Sequence, residues 1–138
     1  MRSGLLLTVL TMLPSVALAA EPPKILGHWV PVQFVSATLG TSDALPPSTK
    51  PVYTTDPASA WSYDFDAQDG AAFSGKSKGP SGKSRYVVGT FRQDGKSFVM
   101  STTNGNAAGE MEGDRIELCW TDNIPDFIGA SCTVYKRQ

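Results

Sequence analysis

From residue 59 onward, turn-forming clusters recur every ~8–14 residues, a spacing that an antiparallel β meander requires. The clusters are Gln68-Asp69-Gly70, Gly79-Pro80-Ser81-Gly82, Gln93-Asp94-Gly95, Asn104-Gly105-Asn106 and Glu112-Gly113-Asp114. Short β-rich runs lie between them, and no segment sustains a helical period. Gly, Ser, Thr, Asp and Pro are abundant and Leu and Glu scarce after the first twenty residues, which favours strands and turns. With residues 27–36 as the first strand and 130–137 as the last, eight strands are predicted.

Pairing outward from each turn tests the register. A two-residue loop at Asp94-Gly95 sets Phe91 opposite Phe98. One at Asn104-Gly105 sets Phe98 opposite Met111 and Met100 opposite Gly109. A turn at Gly113-Asp114 sets Met111 opposite Ile116 and Gly109 opposite Leu118. A three-residue loop ending on Gly70 sets Phe65 opposite Phe73. The apolar residues then share one face, while Ser62, Asp64, Asp66, Arg92, Glu110 and Glu117 take the other. A slip of one residue would scatter them, so the pattern is that of an antiparallel sheet with one wet face.

The same parity puts the two cysteines, Cys119 and Cys132, opposite one another on the outer face of a hairpin centred on Pro125-Asp126. A cross-strand disulfide is expected there. Eight antiparallel strands with a single buried face are satisfied by closure into an up-and-down barrel, which removes both edges. An open sandwich is the competing architecture.

The N-terminus carries an address. Arg2 precedes an apolar run over residues 5–13, Pro14 breaks it, and Ala17-Leu18-Ala19 offers the small residues of a signal-peptidase site. Residues 1–19 are expected to be a cleaved secretory signal, with residues 20–138 as one domain of roughly 120 residues that is secreted or periplasmic. The run is too short to span the ~30 Å hydrocarbon core of a bilayer, and no second apolar stretch follows. No membrane span is expected. A net charge of -1 gives no basic footprint for nucleic acid.

Gly27-His28-Trp29 opens the first strand. With the eight-strand meander and the long link over residues 37–58, it resembles the calycin group, the lipocalin-like and avidin-like barrels. Those barrels begin with Gly-x-Trp, the Trp plugs the closed end, and a basic residue from the last strand commonly packs over it. The resemblance implies that Trp29 and Arg137 form such a plug and that residues 37–58 match the lid loop. It leaves the ligand open.

The tight turns at Asp69, Asp94 and Gly113 fall at the plugged end, and the longer links fall at the other. Ligands of such barrels sit under the longer loops. The inward residues nearest that mouth, Trp61, Tyr63, Val87, Met100 and Trp120, are the candidate ligand contacts. Inward Gly75, Gly89, Ala107 and Gly109 offer room for a void between the aromatics, unless side chains fill the barrel completely.

Other motifs carry less. Residues 75–85 are rich in Gly, Lys and Ser but lack phosphate-loop spacing and a following helix, and read as a basic hairpin tip. Asp64 to Gly70 misses the calcium-loop pattern, because Gln68 stands where an acidic ligand is needed. The lone histidine, His28, faces outward and has no partner nucleophile, and its spacing from the cysteines fits no zinc site. No catalytic motif, metal or cofactor is implied. Two functions lead: a non-catalytic protein binding a small apolar or amphipathic ligand at the mouth, or a protein-interaction or inhibitor module acting through the 37–58 loop or the outer surface; an enzyme is the third class, with no reaction named. The first strand, apolar on both faces with Val30, Val32 and Phe34 one way and Trp29, Pro31 and Val35 the other, is expected to be covered by that loop or by a partner.

Overall fold

The computed structural model describes residues 21–42 and 45–138. The expected signal peptide, residues 1–19 with cleavage after Ala19, lies outside the described residues. Among the described residues, nine strands form one antiparallel sheet: β1 (Gly27–Gly40), β2 (Ser48–Thr54), β3 (Ser62–Asp69), β4 (Ala72–Lys78), β5 (Ser84–Phe91), β6 (Ser97–Ser101), β7 (Gly105–Glu112), β8 (Arg115–Ile124) and β9 (Phe127–Arg137). The described helical structure is a single 3-10 turn, Pro57–Ser59, capped by the Asp56 carboxylate. No helix among the described residues is long and apolar enough to cross a membrane.

Pairing of β9 with both β8 and β1 closes β1 and β3 through β9 into an eight-stranded up-and-down barrel. The additional strand, β2, lies outside that ring. It occupies part of the expected 37–58 loop, and β1 itself runs on to Gly40 rather than ending at Ser36. Two different strands share one edge of β1: residues 27–29 pair with β3, and residues 36–40 pair with β2. As the exposed edge of the sheet, β2 carries Lys50 and Pro51, residue types that discourage further strand addition.

Several registers stand as the turn chemistry predicts. Phe91 faces Phe98, Met111 faces Ile116, and Cys119 faces Cys132. Asp94 fixes the first of these hairpins by accepting hydrogen bonds from the backbone N–H of Lys96 at 2.9 Å and of Ser97 at 2.8 Å. Two registers differ. Phe98 faces Gly109 and Met100 faces Ala107, because the β6–β7 turn closes through Thr102 N–H to the Gly105 carbonyl (3.0 Å). The turn is thus built one residue earlier than expected. A shift by an even number of residues leaves the inward face unchanged and lets the Phe98 ring lie on Gly109, where an added Cβ would come within 2.7 Å of Phe98 Cζ. Phe65 faces Gly75 rather than Phe73, because the hairpin closes over Gly70-Ala71, with Asp69 facing Ala72, and a bulge between Phe65 and Ala67 then absorbs one residue. The two rings still meet edge to face at 5.2 Å.

A second bulge corrects the expected two-faced first strand. Between Pro31 and Gln33 the register of β1 against β9 shifts. Pro31 has no N–H for the ladder, so the break falls where a bond is already missing. The shift reverses side-chain parity. Trp29 points inward before it, and Phe34, Ser36 and Thr38 line the interior after it, while Val32 and Val35 are exposed outside.

The closed end is filled. Trp29 and Ile25 are completely buried, and Phe65, Phe73, Phe91, Phe98, Met111 and Ile116 pack around them. Burial of each such side chain contributes ~1.5–3 kcal/mol. The Gln68 side chain ties the entering chain across this end, accepting from Ile25 N–H at 2.9 Å and donating to the Pro23 carbonyl at 3.0 Å. The inward glycines do not leave a void here: a Cβ on Gly89 would stand 2.3 Å from Phe73 Cζ, so the ring already occupies that space.

Candidate functional site

The barrel is hollow towards its other end, where a cavity of about 430 Å³ opens between the mouth of the ring and β2. Inward parity along β8 and β9 builds one wall. Leu118, Trp120 and Asp122 alternate along β8, and Phe127, Gly129, Ser131, Thr133 and Tyr135 along β9. Across β2, β1, β9 and β8, the residues Thr54, Ser36, Ser131 and Trp120 stand in register, so a row of three hydroxyls ends on an indole. Trp61, just before β3, supplies a second indole. It lies against Gly79, where a Cβ would come within 2.9 Å of the ring. Leu45 and Val52 face the cavity from the β2 side and remain partly open to solvent.

The floor carries polar groups that are nearly dry. Tyr63 and Tyr135 meet edge to face at 5.3 Å, and Thr133 lines the cavity beside Tyr135 on the same face of β9. Burial raises the Tyr63 phenol well above its ordinary range, with a further push from Tyr135. Burial pushes Tyr135 up to about 12, against the pull of the Thr133 and Tyr63 hydroxyls. Both phenols therefore stay neutral and can donate and accept.

Two charged side chains stand among the described lining residues, Arg85 and Asp122. The Arg85 guanidinium lies over the Trp61 ring, 4.6 Å from its centroid. Asp122 stands on the same inward face as Trp120; desolvation raises its carboxyl above the ordinary value, and Trp120 and the Arg85 charge oppose that rise.

Of the residues expected at the mouth, Trp61, Tyr63 and Trp120 line the cavity together. Val87 and Met100 do not line it: they are 1% and 3% exposed within the core cluster, covered by the floor. Arg137 does lie over Trp29, at 4.6 Å, at the closed end. Cys119 and Cys132 form the cross-strand disulfide on the outer face. His28 is on the surface, its Nδ1 2.5 Å from Asp64 Oδ1. No group of three His, Cys, Asp or Glu among the described residues is placed to hold a metal ion.

Arg85, Asp122, Ser36, Ser131, Thr133 and Tyr135 are absent from the sequence-based expectation. Alternation carries a signal for most of them. Asp122 shares the parity of Trp120, and Ser131, Thr133 and Tyr135 share that of Arg137. Ser36 is hidden by the β1 bulge. Arg85 belongs by composition to the basic hairpin tip, yet its place in β5 turns it inward, two residues from Val87.

The chain matches no protein-family model, no curated protein and no solved structure.

Proposed function

We propose that this protein is an exported, non-catalytic binding protein that holds a small apolar or amphipathic molecule in the mouth of a calycin-like barrel. The observation that carries this reading is the cavity of about 430 Å³, flanked by Trp61, Trp120 and Phe127 and faced by the partly exposed apolar side chains of Leu45 and Val52. A volume of this order suits one small molecule. Filling it removes apolar wall from water, which is the dominant favourable contribution to such binding. The closed end, packed around Trp29, supplies the rigid floor. Export rests on the N-terminal sequence and agrees with a disulfide on an exposed face, which persists in an oxidising compartment.

The segment over residues 45–54 favours this reading over a loop that docks a protein partner, since Leu45, Pro46, Pro47 and Val52 line the cavity, while Tyr53 faces solvent. Tryptophan fluorescence tests the proposal, because Trp61 and Trp120 both line the site. Titration with a panel of hydrophobic and amphipathic compounds is expected to change the emission, and Trp120→Ala to weaken binding. An emission unmoved by every compound, with the cavity dry and collapsed in a crystal structure, rejects it.

A further inference from the structure

We infer that the ligand of this cavity is an uncharged molecule with a flat apolar body and a hydroxyl, carbonyl or amide group, rather than a fatty-acid-like anion or an amine. The inference rests on the binding function proposed above and concerns the charge and polar chemistry of what is bound.

The balance of groups around the cavity carries it. The two charged side chains among the described lining residues are one cation and one anion, Arg85 and Asp122. Each stands against the aromatic wall: Arg85 lies over the Trp61 ring at 4.6 Å, and Asp122 shares the inward face of β8 with Trp120 and feels the Arg85 charge. A bound carboxylate would gain from Arg85 and lose to Asp122, and a bound ammonium the reverse. Neither gains net attraction, and both leave their hydration shell on entering an enclosure whose walls are mostly carbon.

The remaining polar groups suit a neutral guest. Thr54, Ser36 and Ser131 form a row across three adjacent strands, and Thr133, Tyr135 and Tyr63 continue it to the floor. A hydroxyl donates one bond and accepts others, so this row serves an alcohol, a carbonyl or an amide equally well. The Trp120 indole provides a flat apolar surface against which a planar body packs, while the Trp61 ring is taken up by Arg85 and Gly79.

Four naphthalene derivatives that differ in one substituent test the inference by calorimetry at neutral pH: naphthalene-methanol, naphthamide, naphthoate and naphthylmethylammonium. The alcohol and the amide are expected to bind about tenfold or more tighter than the two ions, the ratio set by one well-made polar contact. Asp122→Asn removes the anion of the pair and is expected to raise naphthoate affinity about tenfold; Arg85→Gln removes the cation and is expected to do the same for the ammonium. If naphthoate or the ammonium binds the wild-type protein as tightly as the alcohol, the inference is overturned while the binding function stands. If none of the four binds, the alcohol included, the inference falls, and the binding function is decided by the wider panel. The wild-type comparison decides even where a variant does not fold.

Discussion

Arg137 closes the barrel over Trp29. Its guanidinium lies 4.6 Å from the indole centroid, and the same group donates to the Leu26 carbonyl at 2.6 Å and the Lys24 carbonyl at 2.8 Å. Its Nε stands 2.9 Å from Asp114 Oδ1, an ion-pair contact. One side chain thus joins the last strand, the entering chain and the β7–β8 turn. Arg137→Ala is expected to destabilise the protein by about 2 kcal/mol, from the lost cation–π contact and two charge-assisted hydrogen bonds. Arg137→Lys recovers less than half of this, because an ammonium cannot stack and fork together. Urea unfolding monitored by tryptophan emission measures both.

The Cys119–Cys132 disulfide closes a loop with a sequence separation of 13 and lies outside the core. Replacing both cysteines by alanine is expected to cost about 2–3 kcal/mol, mainly by freeing the unfolded chain. The β-sheet signal in far-ultraviolet circular dichroism should persist at room temperature, with a lower thermal midpoint. Loss of the sheet signal would mean that the final hairpin depends on the bond to form at all.

Gly89 tests the filled half of the barrel. A methyl group there meets the Phe73 ring at 2.3 Å and the Val99 carbonyl at 2.9 Å. Gly89→Ala is expected to cost about 2 kcal/mol through overpacking. Calorimetric melting measures it, and the ligand affinity of the folded fraction should be unaffected, since Gly89 does not line the cavity.

Two carboxylates predict opposite responses to acid. Asp94 is held at about 2, against an ordinary 3.8, by the Ser97 hydroxyl and then by the backbone N–H groups of Lys96 and Ser97. Its native pKa is depressed, so its contribution to stability is present above 3.8 and disappears as the pH falls through about 2. Asp94→Ala should therefore lower the melting temperature at neutral pH, and the gap to wild type should close over that acid window. Asp122 is raised by desolvation. Its ionisation opposes folding, so Asp122→Asn should melt higher than wild type at neutral pH. That advantage should shrink as the pH falls through the raised value towards the ordinary 3.8. Melting curves across an acid-to-neutral series read both signs.

How much of this was legible depends on what each residue encodes locally. The hairpins at Asp94 and Gly113 are legible because their turn residues set the register directly. The β6–β7 register is not, since a shift by two preserves every facing, and only the seating of Phe98 on Gly109 chooses between the two. Strand β2 is masked by Lys50 and Pro51, which suppress the β signal yet suit an exposed edge. At the mouth, Trp61, Tyr63 and Trp120 follow from alternation. The burial of Val87 and Met100 beneath the cavity does not, because parity gives the side of the wall and not the depth at which aromatic rings stop filling the ring.

The division of β1 between two neighbours has a consequence for how such a barrel can change over time. Where residues 27–29 pair with β3, the circumference is set by eight strands around Trp29 and admits no adjustment. Where residues 36–40 leave β3 for β2, the wall is no longer part of the closed hoop. Lengthening, shortening or tilting β2 alters the bore at the mouth without disturbing any pair at the sealed end. Ligand preference and foldability are in this way assigned to separate stretches of a single strand, one free to drift and the other held.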